Sequence, residues 1–210
     1  MIRVFFLIFE PAVAWEKIAK AQRGYVFILA TYILPFILLV TTLEGWGLMK
    51  WGRWQPRFDK IRIFTDPQVV VHFEIMQAVI FLLVILISAL LLMFASEQFH
   101  GRRTFLQTFT VMAYAFGPTL LLQLMNLYPT VHPATSWIMG TVLTLLVLYA
   151  GVPRVLQPLP VHAFGAYMSA VFILLLMSGL ARVFTAMFLL GQINFNHSST
   201  TRALGHWLGQ

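Results

Sequence analysis

FLQTFTVMAYAFGPTLLLQLMNLYPTVHPATSWIMGTVLTLLVLYAGVP occupies residues 105–153 and decides the fold of this chain. It contains two apolar runs, residues 105–127 and 134–150, and neither run carries a charged residue. A helix that rises ~1.5 Å per residue needs about 20 residues to cross a hydrocarbon core of ~30 Å, so each run is long enough to span a bilayer. The connection of residues 128–133 is too short to hold a domain. The stretch therefore predicts an antiparallel hairpin of two transmembrane helices.

A proline interrupts the first of these runs, at Pro118 directly after Gly117. Proline removes one backbone donor and leaves a carbonyl unpaired, and in a bilayer that carbonyl must be satisfied by a neighbouring helix, a side chain or a water. The pair therefore predicts a kinked helix that is packed against other parts of the protein.

The same stretch resembles the core of the bacterial branch of the Yip family. The resemblance is carried by the order AYAFGPTLL (113–121), LYP (127–129) and LYAGVP (148–153), and it extends to FEP (9–11) followed by Trp15. Yip proteins are small polytopic membrane proteins whose eukaryotic members interact with Rab-type GTPases. The resemblance implies a five-span bundle with a cytoplasmic N-terminus. The residues that it marks as candidates are Tyr114, Gly117, Pro118, Tyr128, Pro129, Gly151 and Pro153.

Composition independently predicts an all-α, polytopic integral membrane protein. Hydrophobic residues make up 60% of the chain and charged residues 10%, with a mean hydropathy of +0.82, whereas about a quarter of the residues in soluble domains are charged. With 210 residues, one membrane bundle accounts for the whole chain. The absence of cysteine excludes disulfides and sulfur-ligated metals. The net charge of +7 is interpreted as topology signals and contacts with anionic lipid, and no nucleic-acid partner is expected.

Residues 1–24 form the predicted N-terminal segment. The first nine residues are apolar but too short to span, and no cleavage-site pattern follows them, so neither a signal peptide nor an anchor is expected. From Pro11 onward, Trp15 lies on the apolar face of an amphipathic helix whose opposite face carries Lys17, Lys20 and Arg23. This composition favours a helix in the headgroup layer. The alternative is that its apolar face packs on the bundle.

Hydropathy places five spans at residues 25–43, 75–96, 105–127, 134–150 and 163–190, followed by a polar tail at 191–210. The intervening linker, residues 44–74, carries Trp46, Trp51 and Trp54, which are typical of an aromatic belt at the membrane surface. The loop at 97–104 contains Arg102 and Arg103, and the loop at 128–133 contains no basic residue other than a histidine. The positive-inside rule therefore predicts a cytoplasmic N-terminus and a multi-pass protein of the inner membrane.

Signatures of catalysis are missing from the sequence. It has no GxSxG, HExxH or P-loop motif, so we expect neither an enzyme nor a cofactor or metal. Asp66, His72 and Glu74 share one linker, and imidazole with carboxylates could hold zinc. They leave open a membrane-embedded enzyme with an outer-face site.

Three functions follow as hypotheses. The first is a non-enzymatic adaptor or scaffold that associates with the lipid bilayer, with other membrane proteins or with itself. The second is a transporter or permease component, since Pro35 and Gly117-Pro118 break predicted spans. The third is the outer-face enzyme. A dry bundle favours the adaptor, a through-going polar cleft the transporter, and a one-sided polar pocket the enzyme.

One charge, Arg182, lies well inside a predicted span. A helix entering near Ala163 places it about two-thirds of the way across. An unpaired arginine there costs at least ~2.5 kcal/mol on insertion scales, so it must reach the membrane surface or find an acidic partner. Glu74 begins the second span on the same predicted side, and we predict a Glu74–Arg182 pair between these helices. The alternative is that Arg182 marks the end of the last span and that residues 183–190 lie in the membrane interface.

Overall fold

The structure is a computed structural model that describes residues 2–55, 60–62, 67–98, 104–128 and 130–189. Within these residues, five helical segments are long and apolar enough to cross a membrane, which confirms the all-α polytopic class. We name them spans 1 to 5, and their bounds are Tyr25–Lys50, Pro67–Glu97, Phe105–Leu127, Pro133–Val155 and Pro160–Met187. The last helix itself is Ala163–Leu189, after a short 3₁₀ turn at Pro160–His162. Two helices precede span 1, α1 (Ile2–Phe9) and α2 (Pro11–Ala21).

Spans 1 and 2 extend beyond the apolar runs that predicted them. The helix of span 1 continues to Lys50 and that of span 2 begins at Pro67, so Glu44 and Glu74 lie inside helices and not in a linker. What lies between them includes a small antiparallel hairpin, in which β1 (Arg53–Gln55) pairs with β2 (Lys60–Arg62). Charged residues ended the predicted spans because an unpaired charge is costly in a membrane. In the structure both carboxyl groups lie between helices, and hydrogen bonds from Gln77 and Asn126 offset part of that cost at Glu44.

Span 3 is the central helix of the bundle. In its most apolar window 67% of the residues are buried, against 28–39% in the other four spans. It packs against spans 1, 2 and 4, while span 5 packs against spans 2 and 4. The outer spans direct apolar side chains away from the core, as expected for surfaces that face lipid; examples are Leu83, Phe94, Leu146 and Phe172.

The predicted break in span 3 is present. The α-helix runs over Phe105–Ala115, resumes at Gly117–Gln123 and tightens to a 3₁₀ turn at Leu124–Leu127. Span 1 has a wider π-helical turn at Leu29–Ile33, directly before Pro35, a usual way to accommodate a missing donor. Pro153, in contrast, lies inside span 4, whose helix continues to Val155.

The N-terminal helices pack on the bundle. Val4 and Leu7 of α1 and Trp15 of α2 are completely buried in the common core. Val4 lies beside Gly117, about 12 residues or ~18 Å into span 3, so α1 runs at the depth of the hydrocarbon. Phe5, Phe6 and Phe9 are exposed on its outer side. The predicted amphipathic helix is therefore confirmed, but Trp15 is inside the bundle and not in the headgroup layer.

Candidate functional site

A buried carboxylate joins three spans near the end of the bundle that carries the β-hairpin. Glu44 of span 1 is 1% exposed. One carboxylate oxygen accepts a hydrogen bond from Nε2 of Gln77 in span 2 at 2.6 Å, and the other accepts one from Nδ2 of Asn126 in span 3 at 3.3 Å. Both donors are themselves buried. A carboxyl group is thus held at the meeting point of three helices.

The cluster continues into span 4. The hydroxyl of Ser136 donates to Oδ1 of Asn126 at 2.6 Å and lies 3.0 Å from the carbonyl of Pro133. Deeper in the bundle, the hydroxyls of Thr119 and Thr144 are 2.8 Å apart and join spans 3 and 4 again. Hydrogen bonds between polar side chains fix the relative positions of helices in a bilayer, because apolar packing alone distinguishes poorly between alternative helix arrangements.

A second carboxylate lies next to the cluster. Glu74 of span 2 is 9% exposed, and its side chain packs against the backbone of Gly45, where a Cβ would come within 3.0 Å of Glu74 Cγ. Leu48, Val70 and Phe73 form a small apolar cluster at the same end. Glu44 and Glu74 are therefore carried by adjacent, tightly packed helices, and the close approach depends on the missing side chain of Gly45.

Arg182 lines a small cavity between spans 2, 3, 4 and 5, with a volume of about 30 Å³. The other polar side chains around this cavity include those of Gln123, Ser136 and Thr185. A cavity of that size holds about two water molecules. Because Ser136 belongs both to this cavity and to the Glu44 cluster, the arginine faces the polar interior of the bundle. The Glu74–Arg182 pairing stays a prediction.

The residues of this polar cluster offer further acceptor capacity, since a carboxylate can accept more than two hydrogen bonds. They do not form a metal centre of the usual kind: in the part of the chain that the structure describes, no group of three histidine, cysteine or acidic residues comes together. His72 is exposed with Nδ1 2.6 Å from the carbonyl oxygen of Gln68, whereas Glu74 is buried. Residues two apart lie on different sides of a helix. Asp66 lies outside the described residues.

Four of the residues marked by the family resemblance, Tyr114, Gly117, Pro118 and Gly151, lie in a second region, where the N-terminal helices α1 and α2 pack on the bundle. The indole N–H of Trp15 donates to the carbonyl of Val147 at 2.9 Å. Its ring meets Tyr114 edge-on, with centroids 6.3 Å apart, and Tyr114 in turn packs on Tyr32 at 4.5 Å. Gly151 lies directly under the indole. A Cβ added to this glycine would be 2.9 Å from Nε1 of Trp15.

Gly117 leaves similar room in span 3, because a Cβ there would collide with the hydroxyl of Tyr32. The following Pro118 is buried. The motif residues Tyr114, Gly117, Pro118 and Gly151 thus belong to the packing of span 3 and the N-terminal helices. Pro153 is exposed, and Pro129 lies outside the described residues.

Tyr128 is the remaining marked residue, and it lies at the opposite end. It is 59% exposed and stacks on Trp51 with centroids 6.0 Å apart. Trp51 also meets Trp46 at 5.0 Å, and the ammonium of Lys50 lies 4.7 Å from the Trp46 ring. This arrangement fits the aromatic belt predicted for the linker.

Sequence reasoning missed the Glu44 cluster. Its members are a glutamate, a glutamine, an asparagine and a serine placed in or beside apolar runs. Polar side chains within membrane helices are a recognisable signal. What the sequence does not supply is which of them face each other, because they come from four helices.

A family model described as the Yip1 domain matches residues 5–197. No curated protein and no solved structure matches the chain.

Proposed function

The chain belongs to the Yip1 domain family, and from that membership we propose that it is a non-enzymatic membrane adaptor that binds other membrane proteins. The observation that carries the proposal is the Glu44 cluster, in which the polar groups are engaged with one another. Both oxygens of Glu44 accept hydrogen bonds from neighbouring helices. The adjoining cavity measures about 30 Å³, which leaves room for water but not for an organic substrate of the usual 300 Å³ or more.

Such a cluster serves to fix the bundle in one arrangement. Hydrogen bonds among buried polar groups make a structure more specific, because any other packing strands those groups in a low dielectric. Within the described residues, Oε1 of Gln77 is the one polar side-chain atom of this cluster that is buried without a hydrogen-bond partner. A transporter needs the opposite property, two arrangements of similar free energy around its site. The fixed bundle therefore favours a platform that presents a constant surface to partners.

The packing of α2 on the bundle supports the same conclusion. Trp15 holds α2 against span 4, and the outer face of α2 leaves Glu16, Lys17 and Lys20 exposed. This charged face lies in a fixed position relative to the spans. We propose that it contacts the partner, on the cytoplasmic side of the inner membrane.

Site-specific photo-crosslinking tests this proposal. A photoreactive amino acid replaces Lys20, and the matched control replaces Val142, which faces outward from the middle of span 4. After purification in mild detergent, the Lys20 variant should give one stoichiometric adduct with another membrane protein, or with a second copy of this chain. The adduct should be absent when Trp15→Ala releases α2. Equal adducts from both positions, or none from position 20, would contradict the proposal.

Transport is the second candidate, favoured by one observation. Glu44 is a buried acid inside a span, and buried acids form proton paths in many transporters. Proteoliposomes with a pH-sensitive dye test this candidate under an imposed potential. Proton flux that is lost in Glu44→Gln would favour transport, and equal dye response with empty liposomes would favour the adaptor.

A further inference from the structure

Two neighbouring cavities lie at the end of the bundle where α2 packs on span 4. One has a volume of about 330 Å³ and the other about 320 Å³. They share three lining residues, Ile18, Arg23 and Thr110, so the two cavities lie side by side. Neither cavity belongs to the Glu44 cluster, which occupies the opposite end.

The two halves of this site differ in chemistry. The first cavity is lined mainly by apolar side chains of α1, α2 and the spans, among them Phe6, Ile28 and Tyr114, and also by Glu10 and Lys17. The second is lined by polar side chains, including Gln22 and Gln107, and by two arginines, Arg23 and Arg154. None of the residues that line the second cavity is acidic. A positive polar pocket therefore adjoins an apolar one.

The arginines are placed at the level of the membrane surface. Arg23 lies two residues before span 1, and Arg154 is the penultimate residue of span 4. Thr104, which also lines the polar cavity, is the N-cap of span 3. Three span ends thus locate this pocket at the boundary of the hydrocarbon core, where the phosphate groups of lipids lie. Basic pockets between helices at this level suit anionic lipid headgroups.

The arginines retain hydrogen-bonding capacity for such a ligand. Arg154 donates through one terminal nitrogen to the carbonyl of Ala150 at 2.8 Å, and Arg23 stacks over the ring of Phe27 at 4.7 Å. A guanidinium has five N–H donors, and its planar fork matches phosphate oxygens. The contacts described here orient both groups and leave donors for an anion.

We propose that these two cavities together bind one anionic phospholipid, with its phosphate between Arg23 and Arg154 and the beginning of an acyl chain in the apolar cavity under α2. The charge of the polar half selects an anion, and the adjoining apolar half selects a lipid over a free phosphate. The site goes beyond the proposed function and does not depend on it, because a lipid can bind whether or not a partner protein does. It ties α2 to spans 1, 3 and 4 through the ligand.

Thermal unfolding in detergent with added lipid tests the proposal. The probes are dioleoyl-phosphatidylglycerol, the zwitterionic dioleoyl-phosphatidylcholine and inorganic phosphate, and native mass spectrometry counts the lipid retained. Phosphatidylglycerol should raise the Tm and remain bound as one molecule, and the other two probes should have little effect. Arg23→Gln and Arg154→Gln should each weaken its apparent affinity roughly tenfold, as expected for a charge-assisted hydrogen bond.

Lys20→Gln is the matched control, since it removes one exposed positive charge from the same helix end as Arg23→Gln without lining either cavity. Its effect should stay below about twofold. Arg23→Gln is the decisive variant if Arg154→Gln lowers the Tm in the absence of lipid. Equal stabilisation by phosphatidylcholine, equal stabilisation by inorganic phosphate, or equal losses in Arg23→Gln and Lys20→Gln would each overturn the proposal.

A substitution in the apolar half tests the acyl chain separately. Ala21 lines the apolar cavity and is exposed at the end of α2, so Ala21→Phe can fill that space without changing a charge. It should weaken binding of dioleoyl-phosphatidylglycerol and leave binding of the short-chain dihexanoyl form unchanged. Unchanged binding of both forms would overturn the acyl-chain position.

Discussion

At the scale of single residues, two glycines decide how the N-terminal helices join the bundle. Gly151 and Gly117 occupy positions where any side chain would collide with Trp15 or Tyr32. Trp15 is completely buried and hydrogen-bonded to the backbone of span 4. The aromatic side chains contribute a large apolar area, and the glycines permit their approach. Helix packing therefore explains why glycine is found at positions 117 and 151 of the motifs, without a role in catalysis.

Gly151→Leu should destabilise the protein, because the new side chain displaces the indole of Trp15. Removing a large aromatic side chain from a core costs about 3–5 kcal/mol, and we expect a loss of that order in unfolding experiments in detergent. Gly179→Leu is the control, since no atom lies within 4 Å of its would-be Cβ. Equal changes in the two variants would show that Gly151 is not a packing position.

Glu44→Ala should destabilise the bundle by leaving buried amide groups of Gln77 and Asn126 without their acceptor. Each stranded group costs about 1–3 kcal/mol. The measurement is a double-mutant cycle in detergent with Gln77→Leu. Because the two side chains are hydrogen-bonded at 2.6 Å, the double variant should lose less than the sum of the single losses. Additive losses would mean that the bond contributes nothing.

At the scale of helices, spans 2 and 5 illustrate how charges enter an apolar bundle. The two spans pack on each other. Glu74 is buried against span 1, while Arg182 lies beside a cavity shared with spans 3 and 4. Neither side chain is directed only to lipid, in agreement with the cost of an exposed charge there.

The predicted Glu74–Arg182 pair is tested by exchanging the charges. Arg182→Glu should lower the Tm in detergent, because the predicted pair would then bring two acidic side chains together. Adding Glu74→Arg should partly restore the Tm if the two residues interact. The Arg182→Gln variant serves as control for the loss of charge alone. A double variant no better than the sum of the single variants would disprove the pairing.

At the scale of the whole molecule, the two ends of the bundle have different characters. One end carries α2 with its basic face and the two arginine-lined cavities. The other carries the Glu44 cluster, the β-hairpin and the aromatic group around Trp51. Five spans place the termini on opposite sides of the membrane. The positive-inside rule predicts that the α2 end faces the cytoplasm.

Cysteine labelling checks this orientation in a chain that has no cysteine of its own. Lys17→Cys should react with a membrane-impermeant maleimide only after the inner membrane is broken. Lys50→Cys, exposed at the other end, should react while the inner membrane is intact, once the outer membrane has been permeabilised. The reverse labelling pattern would invert the predicted topology.

The sequence by itself determined the class, the number of spans and the family. Runs of about 20 apolar residues can satisfy their backbone in lipid only as helices, so residues 105–127 and 134–150 predicted spans 3 and 4 without any tertiary information. An amphipathic α2 followed equally from local periodicity. The sequence did not predict where span 1 ends and span 2 begins, because Glu44 and Glu74 are tolerated inside a membrane helix only when other helices surround them.

Only the tertiary structure decided which polar residues meet and which way α2 faces. Glu44, Gln77, Asn126 and Ser136 lie on four helices, and hydropathy gives each helix a length but no rotation about its axis. Trp15 suits a membrane surface and a protein core equally well by composition. The space left by Gly151, on another helix, placed it in the core. Local patterns fix what one helix is, and contacts between helices fix what it touches.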